Sequence, residues 1–318
     1  MYQLNIELVK KCDILLTTTP CFFSKVIRIA TKSDISHASL MVEQSCLIDS
    51  TSDLVQSRNV KRIVYNDDCA IHLMRYKEPL TSKQQDTIIN YVRCKIGMSY
   101  NTIEAILSKW EMPLFDNKMF CSRLVAKAYS EAGINLVNDP RACTPNDLLH
   151  SPMLEEIKEI SLPYQVDYVI YGHDYDEDMR QRTQDLMSRV KKIDSSIDSL
   201  NDIIVFLIKH PEKDQAVLNA YKESRYLELS DELFAATKDD YDHKKLLRKY
   251  GASGIVRYCM DTVREDDSRF DANYAGYRSL AEDYGLETFN TLRDFYEKEK
   301  QRRNDRKMAA IRAFCEIR

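Results

Sequence analysis

Proline placement sets the first limit on what this chain can fold into. Seven of the eight prolines precede residue 172, and Pro211 stands alone after it. Proline removes a backbone donor and breaks helix interiors, so the two stretches obey different rules. From about residue 173 onward, hydrophobic residues recur every three or four positions, the period of a helix with one buried face. Before that point, short apolar runs alternate with turn residues. The stretch YGHDYDED at 171–178 concentrates acidic residues after a glycine and marks the boundary. A length of 318 residues suits two domains. We therefore expect an α+β domain over residues 1–172 and an all-helical domain over residues 173–318.

Within the first domain, Asp13 to Thr17 (DILLT) reads as a short buried strand. His37 to Val42 (HASLMV) and Cys46 to Asp49 (CLID) read as two strands joined by a tight turn at Glu43–Ser45. Arg62 to Tyr65 and Ile71 to Tyr76 are further strand expectations. Helical spacing predicts helices around Phe22 to Ala30, over Ser82 to Cys94 and over Tyr100 to Lys109. Thr144–Pro145 opens a short helix with Asp147 in its first turn. Strands with helices beside them, without regular βαβ alternation, predict a mostly antiparallel sheet. In the second domain, Leu186, Val190, Ile193, Ile197, Leu200, Ile204 and Leu207 step by four and three, a heptad seam of about three repeats. It suits a helix inside a bundle or a dimeric coiled coil. Ala216 to Phe234 and Tyr284 to Phe314 also read as helix.

Charge and cysteine content exclude several classes. A net charge of -4, with no basic excess, argues against nucleic-acid binding. The nine cysteines include no CxxC pair, which argues against a zinc ribbon and a disulfide framework. No metal and no cofactor is expected. The N-terminal residues lack the pattern of a secretory signal, and no run approaches 18 consecutive apolar residues. Thiols inside apolar runs suit a reducing compartment, so a cytoplasmic location is expected.

One stretch carries a chemical signal. In MFCSRLVAKAYSEAG, Leu124, Val125, Ala128, Tyr129 and Ala132 recur at helical spacing after Cys121, and Gly133 suits a helix C-cap. Cys121 then lies in the first helical turn, where free N–H groups and the helix dipole favour a thiolate. It is either a nucleophile or a small core residue. Among six histidines, His37 opens a strand at a sheet rim, where it either partners the thiol or makes a local hydrogen bond. A thiolate–imidazolium pair needs a third group to orient the ring. Asp49 ends the strand paired with that of His37 and is either this group or a turn cap. Glu43, on the same strand face as His37, lies about 20 Å from it along an extended strand, too far to serve.

Three stretches, ISHASLMV, CLIDST and FCSRLVAKAYSEAG, resemble in order and character the circularly permuted papain-like hydrolases of the YiiX/YaeF group, relatives of NlpC-type cell-wall hydrolases and of lecithin:retinol acyltransferases. DILLT, KIGMSYN and TPNDLLHSP support the resemblance, which covers about residues 10 to 160. It implies Cys121 as nucleophile, His37 as general base and acid, and Asp49 as the orienting group, although relatives more often carry Glu or His there. Tyr100 of KIGMSYN resembles the family's active-site tyrosine, and Ser36, beside the histidine, is expected with it among substrate-contacting residues. The family's glycine before Asp13 is Cys12 here. Cysteine adopts a glycine-only backbone conformation at a cost, so a different local turn is expected.

The expected function is hydrolysis of an amide or ester through a thioester acyl-enzyme. Two alternatives stand beside it: a lipid acyltransferase or thioesterase of the same superfamily, and an inactive scaffold. In the last case the helical domain binds a protein partner or a second copy of the chain.

Overall fold

A computed structural model of the chain describes residues 1–18, 35–51, 53–99, 120–164 and 175–317. The chain forms two compact units, Met1–Val169 with Asp198–Asn201, and Ile170–Ile197 with Asp202–Arg318.

The first unit is built on a six-stranded sheet. Its strands are β2 (Ile14–Thr17), β3 (His37–Glu43), β4 (Cys46–Ser50), β5 (Val55–Asn59), β6 (Ile71–Tyr76) and β7 (Leu154–Ile157), in the order β5-β4-β3-β2-β6-β7. Each neighbouring pair is antiparallel. A separate pair joins β1 (Tyr2–Leu4) to β8 (Ser161–Pro163). Both faces of the large sheet are covered, which is why its inner strands read as unbroken apolar runs. On one face, Ile14, Leu16, Ala38, Leu40, Val42 and Ile48 form a core with residues of two helices, α1 (Ser82–Arg93) and α2 (Phe120–Glu131). On the other, Leu15, Met41, Leu47 and Leu73 pack with Leu4, Val60, Tyr65 and Ile160. Each fully buried aliphatic side chain of this kind stabilises the fold by about 1.5–3 kcal/mol.

Local chemistry fixes the helix ends. Thr81 and Gln84 form a capping box at the start of α1. Thr144 and Asp147 do the same for α3 (Pro145–Leu149), with Pro145 in its first turn. Helix α2 stops before Gly133, whose φ of 78° is the left-handed conformation that closes helices.

Several expectations need correction. The strand expected at Arg62 to Tyr65 is instead a 3-10 turn over Val60–Arg62, followed by a single bridge from Tyr65 to Tyr2. Asn59 caps that turn by accepting from Lys61 N–H, which ends extended pairing early. At the turn before Asp13, Cys12 holds the left-handed conformation, with φ 69°. Its N–H donates to Met41 O (2.7 Å) and its carbonyl accepts the Tyr129 hydroxyl. The helices expected around Phe22 to Ala30 and over Tyr100 to Lys109 lie outside the described residues.

In the second unit the described residues are almost wholly helical: α4 (Tyr175–Ile193), α5 (Leu200–Lys209), α6 (Asp214–Ser224), α7 (Glu228–Ala236), α8 (His243–Val263), α9 (Ser268–Tyr284) and α10 (Glu287–Glu316). Leu200 and Asn201, at the start of α5, are grouped with the first unit. Of the seven heptad positions, Leu186, Val190 and Ile193 lie on α4 and Leu200, Ile204 and Leu207 on α5, with Ile197 in the segment between them. Asp194 accepts from Ser196 N–H (2.8 Å), a local bond that competes with helix continuation. Asp214, at the start of α6, also accepts from Glu287 and Thr288 N–H, so one carboxylate caps the start of α10.

Candidate active site

The sheet register places the polar residues of the site. Ser39 lies opposite Asp49, and Asp49 lies opposite Gln56. His37 is two residues before Ser39, so it shares the face of Asp49 as a diagonal neighbour, within reach of a long side chain. His37 Nε2 meets Asp49 Oδ2 at 2.8 Å. Arg58, two residues beyond Gln56, reaches the same oxygen through Nη2. Asp49 is wholly buried, at 0 % exposure, while its arginine partner keeps 27 % of its side chain in solvent.

Cys121 is the second residue of α2 and is 4 % exposed. Its sulfur is hydrogen-bonded to the His37 ring and accepts from the backbone N–H groups of Ala38 and Ser122. Because Nε2 faces Asp49, Nδ1 is the ring nitrogen left for the sulfur. Ser122 anchors the helix start by donating from Oγ to Cys143 O at 2.6 Å.

The electrostatics follow from these contacts. Burial opposes charge on all three groups, yet the pairings prevail. The adjoining imidazolium and two backbone N–H groups hold the Cys121 thiol below its ordinary value. Burial would lower His37, but the thiolate beside it and the Asp49 carboxylate push it up to about 10. Burial would raise Asp49, but the Arg58 guanidinium and the His37 ring bring it down to about 2. The arrangement therefore favours a thiolate–imidazolium pair with a carboxylate behind it. Such a thiolate is a strong nucleophile at neutral pH.

Residues 8–158 match the family described as permuted papain-like amidase enzyme, YaeF/YiiX, C92 family. This segment is similar to the permuted papain-like amidases. No curated protein matches the chain. The family makes the protein an enzyme of the papain-like thiol hydrolase type, with an amide-containing substrate implied.

Within the matched segment, the structure brings Cys121, His37 and Asp49 together. Ser36 is buried, and its N–H donates to Thr17 O at 3.0 Å. Tyr100 lies outside the described residues. Glu43 forms an ion pair with Arg93 at 2.9 Å, so it serves the sheet's far end. His72 pairs with Glu156 on β7 at 2.7 Å. Sequence reasoning missed Arg58. Its strand, VQSRN, carries only one apolar residue and so gives no hydrophobic signal. The available signal was a basic residue in the strand after Asp49.

Proposed function

We propose that the protein cleaves an amide bond through a thioester on Cys121, with His37 as acid and base and Asp49 as the group that orients the ring. The supporting observation is the buried relay from Cys121 Sγ through the His37 ring to Asp49 Oδ2. The thiolate attacks the carbonyl carbon. The resulting oxyanion is stabilised in part by the backbone N–H of Cys121 at the helix start, where donors are free of intrahelical partners. The C–N bond breaks as Nδ1–H gives its proton to the leaving nitrogen, which leaves a thioester and a neutral imidazole. Water then loses a proton to Nδ1 and attacks the thioester. The C–S bond breaks, and the thiolate–imidazolium pair returns.

The decisive experiment is thiol labelling at neutral pH with iodoacetamide, alongside hydrolysis of amide and ester panels. Wild type labels fast at Cys121, and His37→Ala labels slowly. Equal slow labelling of both overturns the activated thiol. Turnover that survives in Cys121→Ala overturns the nucleophile. The panels also separate the amide reading from its alternatives: preference for esters over amides favours a lipid ester substrate, and formation of a new ester with an added alcohol favours acyl transfer.

In this reading the hydrolase spans residues 1–172 and acts in the cytoplasm, a setting that suits the absence of any disulfide among the eight described cysteines. Among the described residues, no helix is long and apolar enough to cross a membrane. In residues 173–318, Met260, Val263, Met308 and Ile311 are exposed, which supports a role in binding a partner or a second copy. Sedimentation of the intact chain tests self-association.

A further inference from the structure

The mechanism leaves one charge unaccounted for. Asp49 is wholly buried, and a buried carboxylate is costly unless a cation accompanies it. His37 supplies that cation only while its ring is protonated. Once the ring has given its proton to the leaving group, it is neutral for the lifetime of the thioester. During that interval Arg58 is the cation paired with Asp49.

The placement of Arg58 suits this task. The register puts His37 and Arg58 on the same sheet face as Asp49, displaced from it in opposite directions along the strands. Each is two residues from the one opposite Asp49, about 7 Å along a strand. The two cations thus approach the shared Oδ2 from opposite sides without displacing one another. Arg58 is part-exposed, so its own charge stays hydrated while the planar fork reaches inward. Guanidinium cannot surrender its proton in this range, so the pair stays intact when His37 changes state.

We propose that Arg58 is a positioning residue for the second half of the reaction: it keeps Asp49 charged and in place while His37 is neutral. Asp49 then continues to accept from Nε2–H, which fixes the tautomer that leaves Nδ1 free to take a proton from water. Without Arg58, the buried carboxylate retains its cation by keeping His37 protonated. A protonated ring still holds the thiolate, but it cannot act as a base. Loss of Arg58 therefore spares attack by the thiol and slows release of the acyl group. This inference rests on Cys121 and His37 acting as proposed above.

The test compares wild type with Arg58→Met and Arg58→Lys, using iodoacetamide for the thiol and p-nitrophenyl acetate for turnover. In Arg58→Met, alkylation of Cys121 stays within about threefold of wild type. Steady-state release of p-nitrophenol falls about 10- to 100-fold after an initial burst, the size of a lost general-base contribution. Intact-mass measurement then finds acetylated Cys121 accumulating. Arg58→Lys, which keeps the charge but not the fork, recovers part of the deacylation rate. Equal losses of alkylation and turnover in Arg58→Met would mean that Arg58 only supports the fold, and turnover within about twofold of wild type would also overturn the proposal. Should Arg58→Met not fold, Arg58→Lys carries the test: its steady-state rate must fall by a larger factor than its alkylation rate, and equal falls overturn the inference. If Cys121→Ala releases p-nitrophenol at the wild-type rate, the functional reading itself fails, a result distinct from any outcome at position 58.

Discussion

Ion pairs behave differently in the two halves of this molecule. In the helical half, some join residues one turn apart on a single helix, such as Arg189 with Asp185 and Arg278 with Glu282. Their side chains are largely solvated, and such pairs contribute little to stability. In the hydrolase half, arginines reach across the sheet to buried carboxylates. Arg75 grips Asp13 from β6, 62 residues away, with bonds of 2.8 and 2.7 Å. Arg58 grips Asp49 from the neighbouring strand. The first kind decorates helices that packing already defines. The second fixes register and orientation, because removing the arginine leaves a buried carboxylate stranded away from water.

The largest break in this comparison is chemical. His37→Ala removes the counter-charge of Cys121, and turnover should fall at least about 10³-fold while far-ultraviolet circular dichroism stays unchanged. In wild type, the pH profile of turnover should be bell-shaped. Its alkaline limb lies near 10, where the His37 proton is lost. Its acid limb lies below the ordinary thiol value of 9.0, because the thiolate is favoured. Alkylation by iodoacetamide should show the acid limb alone, since loss of the imidazolium proton leaves the thiolate in place. An alkaline limb shared by both assays would contradict the assignment.

Stability comes next. Arg75→Met strands the Asp13 carboxylate, itself only 1 % exposed, and should cost about 3–5 kcal/mol in denaturant unfolding. Tyr129→Phe removes the hydroxyl that donates to Cys12 O inside the core, with an expected cost of about 1–2 kcal/mol. The smallest effect belongs to the helical half. Arg225 holds a left-handed backbone with φ 55° just after α6, where glycine is preferred. Arg225→Gly should raise the melting midpoint by about 1–3 °C despite losing two exposed ion pairs. A fall there would mean that the exposed pairs matter more than their solvation suggests.

Much of the hydrolase half was legible because its central strands are buried on both faces. ILLT, HASLMVE and CLIDS announce themselves as apolar runs, and the observed strands β2, β3 and β4 lie over them. Strand β5 was invisible for the opposite reason. It lies at the sheet edge, and only Val55 of its five residues is apolar. Arg58 was lost with it. The helix carrying Cys121 was readable from spacing and from Gly133. The broken seam between α4 and α5 was not, because heptad counting tracks apolar residues and ignores the Asp194–Ser196 bond that ends α4. Periodicity reports what a side chain buries. It does not report which polar groups meet across a sheet, and the chemistry of this site depends on those meetings.

The left-handed turn at Cys12 also has a temporal consequence. A non-glycine residue left to itself avoids that conformation by about 1–2 kcal/mol, so residues 11–13 do not take this shape unaided. The shape is secured by Met41 on one side and by the hydroxyl of Tyr129 on the other, the latter 117 residues downstream. On a translating ribosome, strand β2 therefore waits for helix α2 to emerge before its entry corner can lock.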